Sequence, residues 1–302
     1  MFSRELASHG RAFVNYQALS GVEVKDMTID GFPAKLFFNP ARVRSVMADV
    51  SPEALQKRAC FLCPDGVEEH QLTYNWDSPT GHTYYIRVNP FPIFSPHFTV
   101  SSSVHERQEL LPHLESMLHL AKELPEMSIF YNGPMCGASA PDHMHFQAVP
   151  RHSMPIEDHF STNYANAVLV QESDLQSHLA ALEKVLSMAS IPENASQTGS
   201  LTAGASRTEE WEPRWNIISW YEPASSPNSL IASSPKLNTI VFFRRESRPQ
   251  CFFAPENERI LFSPGTVEMG GVGIVANRES FDRITPEVLR SMIQEVADTL
   301  CP

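Results

Sequence analysis

YNGPMCGASAPDHMHFQAVPR, residues 131–151, is the stretch on which the reading of this chain turns. Taken as a strand, 143–149 places His143, His145 and Gln147 on one face and Met144, Phe146 and Ala148 on the other, because strand side chains alternate with period two. Three nitrogen-bearing side chains then stand in a row backed by an apolar face. The preceding NGPMCGASAP is rich in glycine and small residues, which let backbone N–H groups come close to an anion. Three readings stand side by side. In the first, HMHFQ is a solvent-facing strand with two unremarkable histidines. In the second it is part of a cupin-like metal site, since Gly137 precedes His143-x-His145 at the right distance; the glutamate expected about four residues later is missing, and Val149 and Pro150 fill that region. In the third, His145 is a nucleophile: a neutral imidazole can attack phosphorus and leave again, dividing one displacement into two easier steps.

Working outward, TYYIRVN from Thr83 and HFTVS from His97 read as strands, separated by the proline-rich NPFP that cannot continue a ladder. Ser103 precedes Glu106 by three residues, the capping-box spacing, and predicts a helix over 104–124 whose leucines share one stripe before Pro125. MSIFY, from Met127, is a further strand. In the second half, the pattern predicts a helix over 174–189 and strands at NIISWY, TIVFF, QCFF and GGVGIVAN. A last helix starts at Thr285 as N-cap with Pro286 at its first position, burying Leu289, Ile293, Val296 and Leu300. Residues 193–210 and 223–237 have no hydrophobic period and read as loops or an insertion. The glycines of PGTVEMGGVG lack the strand–GxGxxG–helix context of a dinucleotide fold. Trp211, Trp215 and Trp220 read as core or loop anchors. The mixture predicts an α+β fold.

Composition narrows the function. The 302 residues are 42% hydrophobic and 19% charged, enough for two cores. A net charge of −12 disfavours nucleic acid, which needs an extended basic face. An anionic small molecule must then be held by a few local donors, and the arginines of NPARVRS (Arg42, Arg44) and FFRRESR (Arg244, Arg245, Arg248) are candidates. No stretch reaches the roughly 20 apolar residues of a membrane span, and the N-terminus has no apolar segment behind its charges. Five scattered cysteines do not form a disulfide framework; the expected compartment is the cytoplasm. Only Cys60 and Cys63, in CFLCP, stand close enough to act together: as a redox pair, as buried thiols, or as half of a zinc site completed by His105 and His143.

H-x-H-x-Q after a glycine- and serine-rich loop resembles the transferase branch of the histidine triad superfamily, which includes galactose-1-phosphate uridylyltransferases, dinucleoside tetraphosphate phosphorylases and GDP-L-galactose phosphorylases. RVNPFPIFSPHFTVSSSVH extends the similarity upstream, so that it covers 60–151 well. The resemblance implies two histidine-triad-like halves, 1–155 carrying the motif and 156–302 degenerate with a loop-rich insertion near 193–237, each with antiparallel strands and packed helices. It implies that His145 is the covalent nucleophile and that Gln147 donates a hydrogen bond to the reacting phosphate. Asn89 and Phe91 would lie along the nucleotide, and Asn132 and Ser139 against phosphates. Cys60, Cys63, His105 and His143 match by position a structural zinc site found in some members. Hydrolytic relatives carry a third histidine where Gln147 stands. A glutamine amide can donate to developing charge but cannot act as a general acid, so the leaving group should depart without protonation. The expected substrates are a nucleoside diphosphate-sugar or a dinucleoside polyphosphate, with phosphate or a sugar phosphate as acceptor, and a homodimer is compatible with the pattern. A non-catalytic nucleotide- or metal-binding module of the same fold is the alternative.

Overall fold

The computed structural model describes residues 2–7, 10–43, 47, 50–66, 71–189, 212–224 and 234–298. Two short helices, Phe2–Leu6 and Arg11–Ala18, precede a hairpin, EVKDMTIDGFPAKLFF, that the sequence reading passes over. Strands β1 (Glu23–Ile29) and β2 (Phe32–Phe38) pair antiparallel around Asp30–Gly31. Both turn residues have positive φ, 50° and 85°, the backbone that a two-residue Asp-Gly hairpin turn requires. Strands β3 (Thr73–Asp77), β4 (Thr83–Val88), β5 (Phe98–Ser102), β6 (Met127–Asn132), β7 (His145–Pro150), β8 (Ala167–Glu172), β9 (Trp215–Glu222), β10 (Lys236–Phe243) and β11 (Val272–Val275) follow in chain order.

Eight of these strands form one sheet in the order β3-β4-β5-β7-β6-β9-β10-β8, with every neighbouring pair antiparallel. Strands from both halves of the chain meet at β6 and β9, where Ile129 faces Ser219 and Asn132 faces Asn216. A smaller sheet, β1-β2-β11, adds β11 parallel to β2, so the two ends of the chain are also interleaved. The alternation of each strand divides the apolar residues between two cores. Met144, Phe146 and Ala148 pack with Ile129, Tyr131 and Val241 against the helices Leu114–Glu123 and Leu175–Leu186. Phe130, Val149, Ile218 and Ile240 pack on the opposite face with the small sheet and the C-terminal helix Pro286–Val296. The α+β class expected from the sequence is what these elements form.

Several local expectations change. The segment 104–110 is not helical: after a single 3-10 turn, Leu111–His113, the helix runs over Leu114–Glu123. The cap spacing is present without a cap, because Glu106 accepts from the Ser102 hydroxyl at 2.5 Å. The backbone there serves other partners, Met144 donating to the Glu106 carbonyl and Gln108 to Pro141. QCFF is a 3-10 turn, Gln250–Phe252, behind Pro249; the Phe252 and Phe253 N–H groups close local turns and the Gln250 N–H donates to Glu295 Oε1, so none of them pairs with a strand. The C-terminal helix starts as expected, with Thr285 accepting from the Val288 N–H, and it buries Leu289, Ile293 and Val296. Trp215 and Trp220 are core residues. Arg44, Trp211, Leu300 and most of the loop-rich insertion (190–211 and 225–233) lie outside the described residues. No helix among the described residues is long and apolar enough to cross a membrane.

Candidate active site

Strand β7 carries His145 and Gln147 on the face opposite Phe146 and Ala148, as the alternation of HFQAV requires. Neither His143 nor His145 faces solvent; they are 0% and 4% exposed, which removes the solvent-facing reading. His145 is pinned at two levels. Its backbone N–H donates to Gln108 Oε1 at 2.8 Å, and its carbonyl accepts from Gln108 Nε2 at 3.0 Å, which also donates to the Asn132 carbonyl at 2.9 Å. The ladder between β6 and β7 ends at Phe130 and Gln147, and the Gln108 side chain spans the gap beyond. The His145 ring lies with Nδ1 2.9 Å from the His143 carbonyl. A carbonyl can only accept, so Nδ1 carries the proton and Nε2 the lone pair. Among the described residues Nε2 has no hydrogen-bond partner. Burial pushes the imidazole down to about 4, with the positive potential of His143 adding to it against the bond to the His143 carbonyl. The ring is therefore neutral at neutral pH and offers one nitrogen.

Gln147 is oriented by a fully assignable network. The Ile93 N–H donates to His97 Nδ1 at 3.1 Å, so the proton of this ring sits on Nε2. That N–H donates to Gln147 Oε1 at 2.9 Å, and Asn89 Nδ2 approaches the same oxygen at 3.4 Å. With Oε1 taken twice, the Gln147 amide N–H groups are left to face outward. His97 is fully buried, and burial together with the Arg42 charge drives it down to about 3, against the pull of Gln147. It stays neutral and cannot swap its donor for a second proton. Asn89 Oδ1 accepts from the Phe91 N–H at 2.8 Å, and the Phe91 carbonyl accepts from Arg42 Nη1 at 2.6 Å. Arg42 also feels the carboxylate of Glu268.

Beside this row, Cys60, Cys63, His105 and His143 bring four ligand atoms within 4.8 Å of one another. Cys60 Sγ lies 3.3 Å from His143 Nδ1, Cys63 Sγ 3.3 Å from His105 Nδ1 and 3.5 Å from His143 Nδ1, and the two Nδ1 atoms are 3.3 Å apart. A tetrahedral ion with bonds of about 2.0–2.3 Å spaces its ligands about 3.3–3.8 Å apart, so the donor set and its spacing suit a metal. His143 Nε2 donates to the Ser102 carbonyl at 2.9 Å, which turns Nδ1 toward the cluster. Burial raises the Cys60 thiol, but the His143 ring and the N–H groups of Leu62 and Cys63 outweigh it and hold Cys60 down at about 6. His145 is not part of this group, so His143 and His145 do not share a metal and the cupin-like arrangement is absent.

A crystal structure of yeast Ap4A phosphorylase Apa2 aligns over 95% of this chain and 96% of its own, with a TM-score of 0.58 at 14% identity. The complex of that enzyme with AMP aligns over 98% and 96% with a TM-score of 0.59, and the complex with Ap4A over 98% and 97% with 0.56, both again at 14% identity. The chain has the fold of yeast Ap4A phosphorylase. Residues 1–150 match the family described as "Domain of unknown function (DUF4922)", and no curated protein matches the chain. The Ap4A phosphorylase fold is the one which the resemblance drawn from HMHFQA and from NPFP implies.

Within this phosphorylase fold the remaining expected residues divide. Arg42, Asn89 and Phe91 gather around Gln147 through the bonds above. Asn132 ends β6 with its Oδ1 accepting from Asn216 Nδ2, Thr266 N and Thr266 Oγ1 at 3.0, 2.8 and 2.7 Å, so that oxygen ties the two halves together. Ser139 lies on the loop before β7, its carbonyl 3.5 Å from Arg58 Nη2. Arg244 is committed elsewhere: buried, it donates to Asn216 Oδ1 and to the carbonyls of Pro264, Glu246, Ser247 and Val296. Arg245 donates to the carbonyls of Gln294 and Glu295, and Arg248 donates to Ser263 and covers the Phe252 ring. Gln108 carries no signal in the sequence reading, where His97 is only the first residue of a strand. The β5–β7 register pairs Thr99 with Gln147 and Ser101 with His145, and His97 sits two residues before Thr99. Period two along HFTVS places it on the site face once that pairing is known.

Proposed function

We propose that this protein is a nucleotidyl-transferring phosphorylase that works through a covalent nucleotidyl-His145, with a dinucleoside polyphosphate as the favoured substrate and a nucleoside diphosphate-sugar as the second. The observation that carries the reading is the state of His145: neutral, with Nδ1–H held by the His143 carbonyl and Nε2 unpartnered. Support for the substrate class comes from the neighbours of the same fold, whose structures hold AMP and Ap4A.

In the first step His145 Nε2 attacks the α-phosphorus, a P–N bond forms, and the P–O bond to the rest of the polyphosphate breaks, the electron pair leaving with the departing nucleotide or sugar phosphate. In the second, an oxygen of inorganic phosphate attacks the same phosphorus, the P–N bond breaks, and a nucleoside diphosphate leaves while His145 recovers its lone pair. Because Nδ1 keeps its proton throughout, the intermediate is a cationic imidazolium, a better leaving group than a neutral ring. The His143 carbonyl sits against that charge. Gln147, its oxygen occupied by His97 and Asn89, presents N–H groups to a non-bridging phosphate oxygen as charge grows there. It has no proton to lend to a leaving group, which favours transfer between phosphates.

Arg42 is assigned to the phosphate chain, Asn89 and Phe91 to the nucleotide edge, and Asn132 and Ser139 to the phosphates through their free donors. Cys60, Cys63, His105 and His143 are assigned to zinc in a closed structural site; zinc there would brace the loops, and the chain's own residues transmit this through the His143 carbonyl to the His145 ring. The boundary near 155 is read as separating a catalytic half from a degenerate half that completes the sheet, and the reduced thiols suit the cytoplasm. The test is product analysis: purified protein, Ap4A and phosphate should yield ADP and ATP in equal amounts, with consumption dependent on phosphate. Binding of Ap4A with no turnover under any acceptor would support the non-catalytic alternative.

A further inference from the structure

A second group of metal-ligating side chains lies outside the cluster just described. His82 stands at the turn between β3 and β4, Glu106 on the loop after β5, and His113 closes the 3-10 turn before the helix Leu114–Glu123. One ligand atom from each lies within 4.8 Å of the other two. The His82 and His113 rings approach to 4.4 Å between centroids, and His113 Nε2 is 3.5 Å from Glu106 Oε1. That separation is long for a hydrogen bond. It is the spacing of two donors on one ion, since bonds of about 2.0–2.1 Å at near-tetrahedral angles set ligands about 3.3–3.5 Å apart.

We propose that His82, Glu106 and His113 form a second cation site, for a borderline divalent ion such as zinc, cobalt(II) or iron(II). Two imidazoles and a carboxylate suit such ions, whereas calcium and magnesium take oxygen donors. The outer shell is already built. Tyr84 OH lies 2.7 Å from His113 Nδ1, which assigns that nitrogen to the tyrosine and Nε2 to the cluster. The Ser102 hydroxyl holds Glu106 Oε1. Such partners fix ligand orientation and contribute about 10–100-fold in affinity. Three protein ligands leave room for water, and Glu106 is 36% exposed, so this site exchanges its ion more readily than a four-ligand site would. It is coupled to the first cluster through Ser102, whose carbonyl accepts from His143 and whose hydroxyl holds Glu106. The proposal does not depend on the phosphorylase reading.

The test is a cobalt(II) titration of the full-length chain after chelator treatment, read by bound metal and by absorption. Two equivalents are expected in the wild type. One produces thiolate-to-cobalt charge transfer, and the other adds only weak ligand-field bands. Glu106→Gln and His82→Ala should each lose one equivalent and keep the thiolate band, with an unchanged far-ultraviolet circular dichroism spectrum. Cys60→Ser with Cys63→Ser should do the reverse, and Tyr84→Phe should weaken the second equivalent about 10–100-fold. A wild type binding a single equivalent, or a second equivalent that survives Glu106→Gln and His82→Ala together, would overturn the proposal.

Discussion

At the scale of single residues, the chemistry follows from which nitrogen carries a proton. For His145 the His143 carbonyl decides this, and burial keeps the ring from taking a second proton until the pH nears 4. On the proposed mechanism protonation removes the attacking lone pair, so activity should be present above the folded-state value and lost below it. The expected profile of kcat/KM for Ap4A is flat from pH 7 down to about 5 and falls about tenfold per pH unit below about 4; an acid limb centred near 6.5, the value of a solvated imidazole, would contradict the burial argument. Gln147→Glu makes a complementary test. The carboxylate keeps an oxygen for His97 and Asn89, so the fold should hold, but the outward N–H groups are lost. Steady-state kinetics should show kcat down by about 10²–10³, and an unchanged kcat would remove Gln147 from the mechanism. The alternation of HMHFQA predicts that His145 and Gln147 share a face, and strand β7 places them so; the roles proposed for them come from the family resemblance. Alternation could not find the tautomers, because the partners that set them, the His143 carbonyl and the Ile93 N–H, are invisible to side-chain pattern.

At the scale of elements, the divergence of β6 and β7 is what Gln108 bridges. Its amide stands in for a strand, serving two carbonyls and one N–H that would otherwise be buried and unpaired. Gln108→Leu keeps the size and removes all three bonds. The loss should be about 2–4 kcal/mol, measured as a lowered denaturation midpoint; a shift of a few tenths would mean that water replaces the amide. Here the sequence misled. Ser103 and Glu106 have capping-box spacing and the following leucines have helical period, yet 104–110 gives its backbone to the 141–144 segment. Tertiary hydrogen bonds override a local signal when a buried strand end has to be satisfied. The Asp30–Gly31 hairpin was legible in principle from its turn chemistry alone.

At the scale of the whole molecule, one eight-stranded sheet crosses the midpoint of the chain, and the Asn132 side chain anchors β6 to Asn216 and Thr266 of the second half. No local window could show that seam, since its residues are 84 and 134 positions apart. The Cys60, Cys63, His105 and His143 group likewise joins Cys60 to His143 across 83 positions, although there the CxxC spacing together with the family resemblance pointed to the partners. Protein as purified should carry zinc at the four-ligand cluster. Cys60→Ser with Cys63→Ser should lose that ion, lower Tm by several degrees and reduce kcat, because the loop carrying the His143 carbonyl loses its brace. Metal analysis and a thermal melt check this, and a metal-free variant of wild-type Tm and kcat would make the cluster dispensable.

The central claim is the covalent step at His145, and trapping it is the most direct measurement. Protein incubated without phosphate acceptor with Ap4A labelled at the α-phosphates, then quenched in base and digested, should yield an acid-labile, base-stable label on the peptide containing His145, discharged as ADP when phosphate is added before quenching. His145→Ala should show no label. Turnover of Ap4A by the wild type with no labelled peptide, or with label on a residue other than His145, would contradict the account.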